Sequence, residues 1–135
     1  MTDLDHCRIL VVEDEYMLAR HLQRELEYLG AVILGPEPSI RRALDRVAYE
    51  ARIDVAILDV NLGGELSFPV ADALLAQQVP FVFSSGYENS VTRIRYPAVP
   101  TCNKPYVIGN LLKVLQALIQ DASLNRPGFA RGHGL

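Results

Sequence analysis

Polar side chains suited to phosphoryl and metal chemistry directly follow four of the five short apolar runs in this 135-residue sequence. Carboxylates that converge repel one another, and their pKa values rise unless a cation lies among them. Oxygen ligands of this kind suit Mg²⁺, while a lysine and a hydroxyl beside the cation can hold a phosphoryl group. An aspartate in the same place can be the nucleophile that takes the phosphoryl group as an acyl phosphate. These residues are Glu13, Asp14, Asp59, Asn61, Ser84, Ser85, Asn103 and Lys104.

The five apolar runs are predicted to be β-strands. Several are apolar at consecutive positions, which is typical of strands that are covered on both faces in a parallel sheet. Only Gly35-Pro36 follows the second run, so we expect that run to contribute no chemistry. The runs are Arg8–Val12, Ala31–Leu34, Val55–Leu58, Phe81–Phe83 and the weaker Val99–Cys102.

Amphipathic stretches alternate with these runs and predict helices. The fourth stretch, Glu88–Arg95, has only Val91 and Ile94 as apolar anchors and is cut short by Pro97, so we expect one or two irregular turns there. Five strands alternating with five helical stretches predict a doubly wound α/β domain, in which the C-terminal strand ends form one crevice. The other four predicted helices are Tyr16–Leu29, Ile40–Ala51, Pro69–Gln78 and Gly109–Asp121.

Composition excludes several classes of protein. The formal net charge is −3, from 16 acidic and 13 basic side chains, which argues against a DNA-binding face. No apolar run is long enough to span a membrane, and the acidic N-terminus does not have the pattern of a signal peptide. Cys7 and Cys102 lack the spacing of a zinc motif or a disulfide framework. They are predicted to be reduced thiols, which is typical of a cytoplasmic protein.

Four segments, in this order and spacing, resemble the response regulator receiver domains over about residues 7–121. The resemblance implies a flavodoxin-like (βα)5 sandwich whose five-stranded parallel sheet has the order 2-1-3-4-5, with a short or irregular fourth helix. It divides the chain into an N-terminal tail (1–6), a receiver domain (7–121) and a flexible C-terminal tail (122–135). The four segments are Ile9–Glu15, Val55–Leu62, Pro80–Tyr87 and Asn103–Tyr106.

The resemblance assigns Asp59 as the phosphoacceptor. It also implies a site for Mg²⁺, or Mn²⁺, formed by Glu13, Asp14, Asp59 and the backbone carbonyl of Asn61. In this family Asp14 would be a direct ligand and Glu13 would act through water.

Two further residues are implied to contact the phosphoryl group. Ser85 matches the switch hydroxyl and Lys104 matches the lysine that pairs with the phosphoryl oxygens. The Lys104–Pro105 peptide bond is expected to be cis, as is usual in this family. Asn61 and Tyr87 would flank the path of the water that hydrolyses the acyl phosphate.

The sequence departs from the usual family pattern at the switch. Thr101 stands where the family usually has an aromatic residue, and 63–67 replace the usual Met-Pro and Asp-Gly segment. With Phe83–Tyr87, these departures resemble the single-domain subfamily that has a Phe-Ala-Thr-Gly-Tyr-type motif. We therefore expect phosphorylation to reorder the 84–97 region.

The implied function is that of a stand-alone receiver in a two-component phosphorelay. It would take its phosphoryl group from a sensor histidine kinase or a histidine phosphotransfer protein and later dephosphorylate itself, without acting as an enzyme on a separate substrate. Because the 14 residues after Asp121 are too few for an effector module, we expect the output to pass to a separate downstream protein.

Alternative functions remain at this point. A pseudo-receiver would bind partners without phosphorylation, although the intact acceptor, acidic pair and lysine argue against it. A phosphatase of the haloacid dehalogenase type would need its nucleophile after the first strand in an Asp-x-Asp pattern, whereas Asp59 follows the third strand and precedes Asn61 by two positions. A dinucleotide-binding site is disfavoured because the first strand is not followed by a glycine-rich turn.

The sequence does not decide the positions of two tyrosines. Tyr96 is equally consistent with a solvated loop and with a partner surface, and Tyr106 is consistent with a packed or a surface aromatic residue.

Overall fold

The computed structural model describes residues 4–86 and 90–125. Its main sheet has five parallel strands in the order β2-β1-β3-β6-β7, and a two-stranded hairpin of β4 and β5 lies outside that sheet. Counting only the strands of the main sheet, this is the predicted order 2-1-3-4-5, so the predicted fold is confirmed. The strands are β1 (Arg8–Val12), β2 (Val32–Glu37), β3 (Val55–Asp59), β4 (Asn61–Leu62), β5 (Glu65–Leu66), β6 (Phe81–Ser85) and β7 (Thr101–Asn103).

Helices cover both faces of the sheet. They are α1 (Tyr16–Tyr28), α2 (Ile40–Tyr49), α3 (Phe68–Ala76), α4 (Ser90–Arg95) and α5 (Ile108–Asn125). One buried cluster joins alternate strand residues to α2 and α3, and the other joins the intervening strand residues to α1 and α5. Because successive side chains of a strand point to opposite faces, the consecutive apolar residues of β1 and β3 supply both clusters.

The second strand continues beyond its predicted end. It includes Gly35, Pro36 and Glu37, which follow the predicted apolar run Ala31–Leu34. Gly35 has a φ of 94°, and a Cβ there would lie 2.7 Å from the Glu37 nitrogen and 3.0 Å from the Val11 carbonyl oxygen of β1, so this position requires glycine. Glu37 is buried and forms an ion pair with Arg46 at 2.7 Å. Nothing in the local sequence predicted this pair.

The fourth helix is short, as predicted, but it uses different anchors. Val91 and Ile94 are 46% and 80% exposed, whereas Thr92 and Tyr96 are buried. Tyr96 belongs to the α2–α3 cluster, so it is a core residue and the interpretation of a solvated loop is wrong for it. A six-residue helix has too few turns for apolar periodicity to identify its inner face.

The ends of the chain extend the described elements beyond their predicted bounds. Leu4 is buried in the α1–α5 cluster, and its N–H donates to the Leu29 carbonyl at 2.9 Å. Helix α5 continues to Asn125, four residues past its predicted end at Asp121. Residues 1–3 and 126–135 of the predicted tails lie outside the described residues, so the boundaries of the three regions stay a prediction. No helix in the described ranges is long and apolar enough to cross a bilayer.

Candidate functional site

Three carboxylates meet at the C-terminal edge of the sheet. Glu13 and Asp14 directly follow β1, while Asp59 ends the neighbouring strand β3, which pairs with β1 through Val12 and Leu58. Ligand oxygens of the three acids lie within 4.8 Å of one another. Glu13 and Asp59 are buried, whereas Asp14 is exposed to solvent.

Lys104 reaches this cluster from the far end of the chain. Its Nζ lies 2.8 Å from Asp59 Oδ2, and 2.9 Å and 3.1 Å from the two carboxylate oxygens of Glu13. Its backbone N–H donates to the Ser85 carbonyl at 2.8 Å, and the Lys104–Pro105 peptide bond is cis. The ammonium group is therefore held between two buried carboxylates that come from different strands.

The charges of the site are unbalanced. Among the described residues, three carboxylates lie around one ammonium group, so two negative charges are uncompensated when all three acids are ionised. Burial raises the pKa of Glu13 to about 7, since the hydrogen bond from Lys104 only partly offsets desolvation and the nearby Asp59 charge adds to it. Burial lowers the pKa of Lys104, but its bonds to Asp59 and Glu13 outweigh that effect and leave the pKa well above its usual range.

The donor set fits a divalent cation. Glu13 Oε2 accepts hydrogen bonds from Lys104 Nζ and from the Glu15 N–H. Glu13 Oε1 is buried and lies 2.9 Å from Lys104 Nζ as an ion pair, but that contact lacks hydrogen-bond geometry, so the oxygen keeps lone pairs for a further ligand. Hard oxygen ligands and a deficit of two positive charges are what Mg²⁺ satisfies.

A hairpin that sequence analysis did not predict holds Asp14. Between β4 and β5, Gly63 and Gly64 have φ values of 58° and 88°, and the Gly63 N–H donates to Asp14 Oδ2 at 2.8 Å. Two central residues with positive φ are typical of the tight turn that joins hairpin strands. The Gly63-Gly64 pair is therefore the sequence signal from which this hairpin could have been predicted.

The backbone around Asp59 is held by its own neighbours. The Asn61 N–H donates to Asp59 Oδ1 at 3.3 Å, so the Asn61 backbone lies beside the Asp59 carboxylate. Ser67, which sequence analysis did not single out, is fully buried, and its hydroxyl donates to the Asp59 carbonyl. Ser67 is thus a support for the carboxylate-bearing end of β3.

Two predicted switch positions have different outcomes. Ser85 is buried at the end of β6, and Tyr87 lies outside the described residues. Thr101, which stands at the position of the usual aromatic residue, is exposed on β7. The aromatic side chain of Tyr96, just after α4, is buried. The Tyr96 ring lies 5.4 Å from that of Phe83, and its hydroxyl donates to Asp72 Oδ1 at 2.7 Å.

No protein-family model matches this chain, and no curated protein does either. Among solved structures, the response regulator receiver protein from Sinorhizobium medicae WSM419 superimposes with a TM-score of 0.79. It covers 88% of this chain and 98% of its own, and its 20% identity shows the shared fold alone. SdrG from Sphingomonas melonis Fr1 is 42% identical, with a TM-score of 0.73 over 88% of this chain and 99% of its own. This chain belongs to the response regulator receiver domains.

A further structure similar to this receiver domain is the BeF3-activated conformation of SdrG from Pseudomonas melonis Fr1. It is 42% identical, with a TM-score of 0.70 over 83% of this chain and 95% of its own. The receiver family and the fold predicted from the sequence are therefore confirmed by the comparisons with solved structures.

Proposed function

We propose that this receiver domain is a phosphorylatable switch in a two-component phosphorelay, and that Asp59 is its phosphoacceptor. The observation that carries the proposal is the position of the Asp59 carboxylate. It lies 2.8 Å from Lys104 Nζ and within 4.8 Å of the oxygens of Glu13 and Asp14. This arrangement combines a nucleophile with a fixed positive charge and a set of cation ligands at one open edge of the sheet.

In this proposal Glu13, Asp14, Asp59 and the backbone carbonyl of Asn61 hold Mg²⁺, or Mn²⁺, with Glu13 acting through water. When bound, the cation supplies positive charge that offsets the repulsion between the acceptor carboxylate and the incoming phosphoryl oxygens. The buried Oε1 of Glu13 and the two uncompensated negative charges support this assignment.

The phosphoryl group comes from a phosphohistidine of a sensor histidine kinase or a histidine phosphotransfer protein. One oxygen of Asp59 forms a bond to phosphorus as the phosphorus–nitrogen bond breaks and the imidazole leaves. The Lys104 ammonium, already hydrogen-bonded to Asp59, then faces the phosphoryl oxygens, and Ser85 donates its hydroxyl to them. Water later attacks phosphorus, which breaks the bond to the Asp59 oxygen, releases inorganic phosphate and restores the free carboxylate. Asn61 and Tyr87 are the residues proposed to modulate this hydrolysis.

We propose that phosphorylation reorders the 84–97 region and that a separate protein recognises the result. Two features support this: the shortness of α4 and the exposure of Thr101. The domain works as a self-modifying switch without a separate substrate. Its proposed location is the cytoplasm, where the free thiols of Cys7 and Cys102 stay reduced.

Phosphorylation with acetyl phosphate and Mg²⁺ tests the assignment of Asp59. Intact-mass spectrometry should show one added phosphoryl group on the wild type and none on the Asp59→Asn variant. Asp45→Asn, which changes an exposed aspartate on α2, is the matched control and should be labelled like the wild type. Labelling that persists in Asp59→Asn would contradict the assignment, and an unlabelled wild type that still binds partners would favour the pseudo-receiver.

Beryllofluoride, a phosphoryl mimic, tests the proposed switch region. Because SdrG has a BeF3-activated conformation, the same probe suits this chain. Amide shifts in NMR spectra should be largest between residues 84 and 97 and smaller along α5. Large shifts in α5 with an unchanged 84–97 region would contradict this part of the proposal.

A further inference from the structure

A polar residue lies inside the sheet directly beside the acceptor. Ser84 is fully buried and pairs with Asp59 across β3 and β6. Ile57 and Val82, which precede these residues by two positions, both belong to the α1–α5 cluster. Side chains alternate along a strand, so Asp59 and Ser84 project to that same face as neighbours.

The Ser84 hydroxyl has a partner from the segment that carries Lys104. The Tyr106 hydroxyl donates to Ser84 Oγ at 2.8 Å, and the Tyr106 ring packs against the α1–α5 cluster. Burial raises the pKa of Tyr106 above its usual range, more than the contact with Ser84 lowers it. The phenol therefore stays protonated at neutral pH and remains a hydrogen-bond donor.

Residues 104–106 are consequently fixed at three points around the site. The Lys104 N–H donates to the Ser85 carbonyl, and Lys104 Nζ donates to Asp59 Oδ2, each at 2.8 Å. The third point is the Tyr106 hydroxyl on Ser84. The contacts to Ser85 and Ser84 lie on adjacent residues of β6, so the segment cannot rotate about a single hydrogen bond. This limits the positions that the Lys104 ammonium group can take.

We propose that Tyr106 and Ser84 form a positioning pair that holds the Lys104 ammonium on Asp59. The inference rests on the proposed function, because it concerns the rate at which Asp59 gains and loses a phosphoryl group. Small displacements of a charged group from the reacting atoms reduce rates strongly, so the pair acts on the reaction through Lys104. Neither hydroxyl needs to contact the phosphoryl group.

The variants Tyr106→Phe and Ser84→Ala, and the two combined, separate positioning from packing. Tyr106→Phe leaves the buried Ser84 hydroxyl without this partner, and Ser84→Ala does the same to the part-buried Tyr106 hydroxyl. The double variant removes both hydroxyls and preserves the apolar contact. The double variant should therefore unfold close to the wild-type temperature even if a single variant does not fold. Tyr28→Phe, at an 85% exposed position on α1, is the control.

The first measurement is the rate constant of phosphorylation by acetyl phosphate at saturating Mg²⁺. The single variants and the double variant should each be slower by about tenfold, in the range found when an outer partner of a site residue is removed. Because the two hydroxyls act as one unit, the double variant should be no slower than the slower single variant. Tyr28→Phe should match the wild type.

The second measurement follows the lysine ammonium itself by NMR without any phosphodonor. The chain has two lysines, and the exposed Lys113 serves as an internal reference for Lys104. In the folded double variant the Lys104 signal should shift while the Lys113 signal stays in place. A merely structural pair would change the unfolding temperature without moving the Lys104 signal.

The outcomes distinguish this inference from the proposed function. A wild type that is phosphorylated on Asp59, with the double variant equally fast and its Lys104 signal unmoved, overturns the positioning pair alone. A folded wild type that takes no phosphoryl group overturns the proposed function, and the positioning pair falls with it.

Discussion

At the scale of single residues, the behaviour of the site depends on Glu13. This side chain is 2% exposed and lies between Lys104 and the backbone of Glu15, yet one of its oxygens accepts no hydrogen bond from the described residues. A carboxylate in such a place is costly to ionise, because the Lys104 ammonium offsets its burial only in part. We therefore expect the protonation of Glu13 to be coupled to the binding of Mg²⁺ at the proposed site.

In the metal-free protein, Glu13 should make stability fall as the pH rises. Its pKa is raised by burial from 4.5 to about 7 on folding, so its contribution is fully present below about pH 4.5 and is lost by about pH 7. Glu13→Gln has no proton to lose at this position. Urea unfolding in EDTA at several pH values between 4.5 and 8 should show a steeper decline for the wild type. Parallel curves for the two proteins would contradict the raised pKa.

At the scale of elements, short segments that follow the strands position the site. The hairpin of β4 and β5 brings the Gly63 N–H to Asp14, and Ser67 at the start of α3 holds the Asp59 carbonyl. Both contacts come from the 63–67 segment, in which the sequence departs from the usual family pattern. A different local sequence thus supports the same three carboxylates.

Ser67→Ala should destabilise the domain measurably. The change removes the hydroxyl that donates a hydrogen bond to the buried Asp59 carbonyl. We expect the free energy of unfolding to fall by about 1–3 kcal/mol. Thr101→Ala, which removes an exposed hydroxyl from β7, should stay within about 0.5 kcal/mol of the wild type. Free energies of unfolding from urea titrations provide the comparison. Equal values for the two variants would mean that the Ser67 hydroxyl is not a support of β3.

At the scale of the whole molecule, the sheet brings distant parts of the chain to one edge. Glu13 and Lys104 are 91 positions apart in sequence, and their side chains are 2.9 Å apart at the closest atoms. Parallel strands with crossovers on both faces put every C-terminal strand end on this edge. A cation that binds there contacts the ends of β1 and β3 together and favours the folded state over the unfolded chain.

Mg²⁺ should therefore raise the free energy of unfolding. The expected gain is about 2.7 kcal/mol when free Mg²⁺ is about 100 times its Kd. Asp14→Asn should reduce the gain strongly, because it removes the exposed ligand that Gly63 orients, while Asp45→Asn on α2 should retain it. Thermal or urea unfolding with and without Mg²⁺ measures the effect. Equal gains in both variants would contradict the proposed ligand set.

Much of the fold and the site followed from local patterns in the sequence. Consecutive apolar residues in β1 and β3 predicted covered parallel strands, and the polar residues directly after them predicted which side chains meet. These inferences succeed because strand alternation and the shared edge of a parallel sheet follow from backbone geometry. The family resemblance added the strand order, which the structure confirms, and a role for each site residue, which stays a prediction.

The tertiary structure decided what periodicity and motif spacing do not encode. The contacts of Ser67 with Asp59 and of Tyr106 with Ser84, and the burial of Tyr96, each depend on where a polar or aromatic side chain ends after the helices pack. The sequence does not distinguish a serine or tyrosine hydroxyl that faces water from one that is bonded to a buried group. The sequence by itself determined which carboxylates and which lysine meet at the end of the sheet. Tertiary packing decided which side chains support them, because a buried hydrogen bond needs two groups from separate elements in one place.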